Sequence, residues 1–297
     1  MTALRRLIGK LLHVSQVVRP GNFFIRRMLL STRLPPLSGW KVTTSSDSFT
    51  VSVPDGHRVV RLDAEFHADV EFWRLLLGGR LSSGARLYSP LYSFVLQPHS
   101  RTLFSDASGK ALGGFRLETG QWWRWDLDTN AQSRVREQVN SFTDLSINVL
   151  ELLAMVVTAY VMIVLSGDEP PYDEASVLMR GDNSSAVSWV NKCRGGLEPR
   201  SGALMRLLGV LEMRSKWRFK AKHVKGVNND LADGISRWER CSVSDNLTTL
   251  YPHVVWCEQD LGCRGRRMCS EMLACGCSEI QLRARLNGLM RQVSGLG

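Results

Sequence analysis

The sequence predicts an α/β protein: a mixed sheet flanked by helices, preceded by a small, mainly helical region. Three observations predict it. Between positions 101 and 238 the chain reads β-β-β-α-β-α-α-β-α. A meander of strands followed by alternating units gives a mixed sheet with helices packed on it. The second and third strands are separated by Glu118-Thr119-Gly120, a hairpin signal. Leucines at 4, 7, 11 and 12 recur at helical spacing near the amino terminus.

In order, 4–30 reads as two short helices broken at Pro20-Gly21, and 34–39 as a Pro-rich joint. Residues 49–53 alternate like a short strand. Residues 63–77 are helical and carry Phe66, Phe72 and Trp73, and 78–84 is a turn region. Strands are expected at 102–105, 111–117 and 121–127, and a polar loop at 129–144. A long apolar helix follows at 147–165, then a loop with Pro170-Pro171 and a buried strand at 175–179. Helices at 184–192 and 201–216, a strand at 218–224 and a short helix at 230–238 complete the pattern. From Cys241 periodicity is lost until a helix expected at 280–293. The expected domains are a basic region at 1–97, the α/β domain at 98–240 and a Cys-containing tail of unknown role at 241–297.

Apolar residues make up 44% of the 297 and charged residues 22%, which excludes wholesale disorder. The net charge is +10, and a chain this basic usually meets a polyanion, nucleic acid or an anionic membrane. Much of the excess sits early: Arg5, Arg6, Lys10, Arg19, Arg26, Arg27, Arg33 and Lys41 precede the first acid. That stretch fits packed helices, with a mitochondrial presequence as the alternative. No secretory signal is expected. All seven cysteines lie from Cys193 onward and none forms a CxxC pair, which fits a reducing compartment and speaks against zinc.

Residues 147–165 have the length of a membrane span, but Glu151 lies inside the run as its single charge. A carboxylate in hydrocarbon costs several kcal/mol, so a helix buried in an α/β domain is the expectation and no membrane partner is expected. Glu151 is then a buried acid in need of a partner.

Three more acids stand at telling places. Asp106 ends the first strand, Asp182 follows the fourth and Asp233 lies early in the last helix. Ligands of open α/β sheets collect at the carboxyl ends of strands. Carboxylates meeting there repel unless divalent cations neutralise them, and an all-oxygen donor set suits Mg²⁺. Two such ions can activate a water and stabilise a leaving oxygen in phosphodiester cleavage. Singly, each aspartate also has a plain structural reading, as a turn residue, an N-cap or a first-turn helix acid.

The motifs FSDAS (104–108), INVLELLA (147–154), RGDNSSAV (180–187) and HVKGVNNDLADGISR (223–237) appear in that order. In these the chain resembles the ribonuclease H domain of retroelement reverse transcriptases, most closely those of DIRS-type elements. The resemblance implies a ribonuclease H-like sheet of five strands. It also implies hydrolysis of the RNA strand of an RNA–DNA hybrid at a D-E-D-D site holding two Mg²⁺ ions, with Mn²⁺ as a substitute. On that reading Asp106 bridges the ions, Asp233 helps hold one, and Glu151 and Asp182 hold the other. His223 matches a loop histidine that assists proton transfer or product release. Ser108, Asn148, Asn183 and Asn229 stand where such proteins often touch substrate or support the site. Gly181 departs from the pattern, where many relatives carry Thr.

The stretches 4–30 and 62–77 resemble the thumb or connection segment that follows the polymerase palm in the same elements. No Asp-Asp pair occurs, so the polymerase active site is expected on a part of the element absent from this chain. The expectation is the carboxyl part of a longer polyprotein, or a decayed copy. The alternative function is a catalytically inactive, nucleic-acid-binding remnant. Trp122, Trp123 and Trp125 are expected to pack the hairpin, with nucleotide stacking as the alternative.

Overall fold

A computed structural model describes residues 2–25, 28–29, 44–45, 48–49, 64–77, 98–136, 145–165, 175–196, 199–215 and 217–273. The expectations for 34–39, 50–53, 78–84, 137–144, 167–173 and 280–293 lie outside those residues. The chain divides into two compact units, Met1–Val95 and Leu96–Gly297.

In the first unit, α1 (Thr2–Val17) buries Ile8, Leu11 and Ser15 and exposes Arg5, Arg6 and Lys10. The break expected at Pro20-Gly21 falls earlier, at Val18, and both residues lie inside a 3-10 helix, Arg19–Phe24. Proline suits the first turn of a helix, where no N–H partner is needed. The ring of Trp73 occupies the space a side chain at Gly21 would need. Two short strands, β1 (Thr44–Ser45) and β2 (Ser48–Phe49), pair antiparallel, and α2 (Ala64–Leu77) stacks Phe72 on Phe24.

The second unit is built on a six-stranded mixed sheet. Strands β3 (Arg101–Ala107), β4 (Ala111–Arg116) and β5 (Gln121–Asp126) form the antiparallel meander. The stretch 129–144 is not simply a loop. Asp128 accepts a 2.6 Å hydrogen bond from the Ala131 N–H and starts helix α3 (Thr129–Arg134). A side-chain cap nucleates this turn, where no apolar periodicity announced it. Next, β6 (Val135–Arg136) pairs with β7 (Leu145–Ser146). Helix α4 (Ile147–Tyr160), capped by Ser146, is buried from Val149 to Tyr160 and runs into a π-helical turn, Val161–Leu165. Among the described residues no helix is long and apolar enough to cross a membrane.

Then come β8 (Ala175–Gly181), α5 (Ser184–Asn191), α6 (Pro199–Ser215), β9 (Trp217–His223) and α7 (Asp230–Arg237). The stretch after Cys241 adds α8 (Val243–Leu250), β10 (Cys257–Glu258) and α9 (Gly262–Leu273). The sheet order is β10-β5-β4-β3-β8-β9, with β8 parallel to both β3 and β9. The sixth strand corrects the expectation of five. It is two residues long, too short for alternation to show, and is held by Cys257 N–H to Gly120 O (2.9 Å) and Gln259 N–H to Trp122 O (2.7 Å).

The two faces of the sheet are covered differently. Beneath α4, Trp123 donates its indole N–H to Thr158 Oγ1 at 3.0 Å. On the other face, α7 and α8 pack Leu231, Ile235, Val243 and Leu247 against Phe115 and Trp122. Adjacent tryptophans therefore fill opposite cores, as strand geometry demands, and neither is free to stack a nucleotide. Arg124 is buried and donates to the carbonyls of Ile235 and Trp238, each at 2.6 Å, closing the carboxyl end of α7.

Candidate metal centre

Neighbouring parallel strands set the first two acids side by side. Phe104 of β3 is in register with Arg180 of β8, and two residues further along each strand come Asp106 and Asp182. Both thus emerge at the same edge of the sheet. Glu151 sits in the second turn of α4, whose first turn is fixed by the Ser146 cap. One carboxylate oxygen from each of Asp106, Glu151 and Asp182 lies within 4.8 Å of the others.

Asp106 and Glu151 are buried and Asp182 is half-buried. Burial pushes Asp106 up to about 7; the Ser236 hydroxyl opposes this, Asp182 and Asp233 add to it, and Arg237 opposes it. Burial also pushes Glu151 well above the usual carboxylate range, followed by the charges of Asp106 and Asp182, with the Ala107 N–H and Arg237 opposing. Glu151 Oε2 is buried with no hydrogen-bond partner. Three converging carboxyl groups, one with an orphaned oxygen, form an oxygen-lined cage that could hold a metal ion. An all-oxygen set of this kind matches a hard divalent cation.

The fourth acid stands apart from this group. Asp233 is half-exposed and accepts from Arg237 Nε one helical turn on. Its charge still reaches Asp106. Ser236, between them, donates to Asp106 Oδ2 at 2.6 Å. Nothing in the sequence flagged Ser236 or Arg237; the usable signal was their placement three and four residues after Asp233, on one helical face.

His223 is exposed at the end of β9, in register with Gly181. The chain after it folds past Asp182: Val224 N–H donates to Gly181 O at 3.0 Å, and a Cβ added to Gly226 would stand 3.5 Å from Asp182 Oδ2. Asn183 caps α5 through Ala186 N–H (3.0 Å) and donates to Asn148 Oδ1 (2.8 Å), so these two amides brace the rim beside Asp182 and Glu151. Ser108 is turned inward instead. Its hydroxyl donates to Ser236 O at 2.8 Å and accepts from the N–H groups of Lys110 and Ala111. Asn229 is buried as well, donating to Ser105 O at 3.3 Å, and its Oδ1 has no partner. Ser108 and Asn229 thus tie α7 to β3 and its turn. Gly181 has a packing reason: a Cβ there would lie 2.7 Å from Met155 Cε on α4.

Comparison of the chain with protein families, with curated proteins and with solved structures gives no match.

Proposed function

We propose that the Leu96–Gly297 unit is a ribonuclease H-like nuclease that hydrolyses the RNA strand of an RNA–DNA hybrid, as part of a mobile-element reverse transcriptase. The observation that carries this reading is the meeting of Asp106, Glu151 and Asp182, from a strand, a helix and a strand end, within 4.8 Å. Three sequence motifs in one order supply these residues, a fourth supplies Asp233, and the mixed sheet flanked by helices is compatible with that fold.

Asp106, Glu151 and Asp182 would hold Mg²⁺, with Asp233 as the fourth acid of a two-ion site. When bound, such ions activate a water and offset charge on the leaving oxygen. The chain's own groups do the rest. Ser236 fixes the Asp106 carboxylate by a charge-assisted hydrogen bond. His223, exposed beside the Asp182 loop, gives a proton to the departing 3′ oxygen. Asn148 and Asn183 offer amide groups to the 2′-OH of the RNA strand. The products are 3′-hydroxyl and 5′-phosphate ends.

The test is cleavage of an RNA-labelled hybrid in Mg²⁺ by the full chain, by Asp182→Asn and by Glu151→Gln. Cleavage by the parent and its loss in both variants supports the proposal. Cleavage that persists in either variant rejects this metal site. Hybrid binding without cleavage by the parent favours the inactive, nucleic-acid-binding reading.

A further inference from the structure

Helices α7 and α8 cover only part of their face of the sheet, the part formed by β3, β4 and β5. The rest of that face, on β8 and β9, carries cations. Along β9 the inward side chains are Trp217, Phe219 and Ala221, and the alternate ones are Arg218, Lys220 and Lys222. Lys220 and Lys222 are exposed. Arg180 of β8 lies in register with Lys222, on the same face. Arg180 is half-buried: its guanidinium stands 5.6 Å from the Phe104 ring centre, and its Nε is buried with no hydrogen-bond partner. Neither lysine nor Arg180 has an acidic partner among the described residues. His99, beside them, shows the resulting field: burial lowers its pKa, and Lys220 and Arg180 lower it further.

The direction of this stripe matters. Two residues of strand advance about 6.6 Å, so the β9 cations are stepped along a line. The line leads from Arg218 through Lys220 and Lys222 toward the strand end, where the backbone at His223 lies opposite Gly181, the residue before Asp182. A row of lysines on an edge strand also discourages edge-to-edge pairing with other chains. That role needs neither the cross-strand Arg180 nor a line ending at the acidic site.

We infer that the β8–β9 part of this face, which helices α7 and α8 leave uncovered, binds the phosphate backbone of a nucleic acid through Arg180, Lys220 and Lys222 and leads it to the acidic site. The partner class is a polynucleotide, read by charge rather than by base. The inference rests on the nuclease reading for what happens at the end of the track, but its own readout is binding.

The experiment uses the full chain carrying Glu151→Gln, so that binding is measured without turnover. Affinity for a blunt RNA–DNA hybrid is followed by fluorescence anisotropy between about 50 and 200 mM salt. Lys220→Gln/Lys222→Gln should weaken binding roughly tenfold and lower the slope of log K against log salt by about 2, near one for each phosphate that the variant leaves without its cation. Lys192→Gln/Arg194→Gln, an equal charge loss at the end of α5, should leave the slope nearly unchanged. Thermal melting of each variant shows that the fold is intact; these side chains are exposed, so an essentially unchanged melting temperature is expected. An unchanged slope in the Lys220/Lys222 variant overturns the inference and leaves the lysines as edge guards. Lysine-dependent binding to phosphatidylserine vesicles but not to hybrid overturns it in favour of a membrane surface. A slope change in a chain whose parent does not cleave hybrid would keep the surface and reject the nuclease.

Discussion

Ser236 Oγ stands 2.6 Å from Asp106 Oδ2 and 2.9 Å from the backbone oxygen of Asp233. The hydroxyl has one proton, so it can serve the carboxylate or the carbonyl but not both. Serving Asp106 favours the charged form that a cation needs, and this contact opposes the upward push of burial. Ser236→Ala should therefore raise the Asp106 pKa by roughly 1–2, since hydrogen bonds to charged groups are worth about 1.5–3 kcal/mol. The acid limb of the Mg²⁺-dependent cleavage rate should move to higher pH, and Ser236→Thr should restore it. An acid limb unmoved in Ser236→Ala would show the contact to be structural only.

The same carboxylates make stability depend on pH. Asp106 is held up to about 7 and Glu151 well above the usual range, both first by burial. Without a cation the folded chain keeps these protons after the unfolded chain has lost them. Their stabilisation is complete below the ordinary carboxylate range near pH 4, and for Asp106 it is lost as pH rises through about 7. The loss is on the order of 2–4 kcal/mol. The melting temperature in EDTA should fall between about pH 5 and pH 8. Mg²⁺ should raise it more at the higher pH, and Glu151→Gln should blunt both effects. An equal Mg²⁺ response at both pH values would remove the cation from this site.

What the sequence disclosed follows from the strength of each local signal. Glu151 was legible because a lone charge in a run of 19 residues has no plain reason to be there. The strand that places Asp182 was legible because a buried strand prints a short apolar run, here at 175–179. The last core layer was not, because Val243, Leu247 and Trp256 are spread over a short helix and irregular chain. Two buried positions one helical turn apart are too few to print a period, and the two-residue β10 has none to show. Asp233 was legible as a residue but not as a partner of Arg237, because an ion pair depends on rotamers that a motif does not encode.

That ion pair bears on cation affinity. Arg237 carries its charge beside Asp233, and the field of Asp106 and Asp182 reaches it as well. A bound divalent cation must compete with it for the same carboxylates. Arg237→Gln should therefore tighten Mg²⁺ binding several-fold in calorimetric titration. Asp233→Asn should weaken it less than Asp182→Asn, because Asp182 belongs to the close group of three and Asp233 does not. Equal losses from the two aspartate variants would place all four acids on one footing.

Gly181 joins the packing of α4 to the position of Asp182. It ends β8 directly before Asp182, and a Cβ there would meet Met155 Cε at 2.7 Å, with Ser105 O behind it at 3.6 Å. A methyl group added here has to displace the methionine or the strand end. Overpacking of this kind costs about 1–3 kcal/mol. Gly181→Ala should lower stability to urea by that amount and also lower Mg²⁺ affinity, because the strand end carries a ligand. Met155→Ala alone removes a buried side chain and should cost about 2–5 kcal/mol. The double variant should lose less than the sum of the two, since the shortened residue makes room for the new methyl. Recovery of cation affinity in that double variant is the decisive result, because it links the helix-to-strand contact to the geometry of the three acids. Additive losses would show that Gly181 serves the chain in another way.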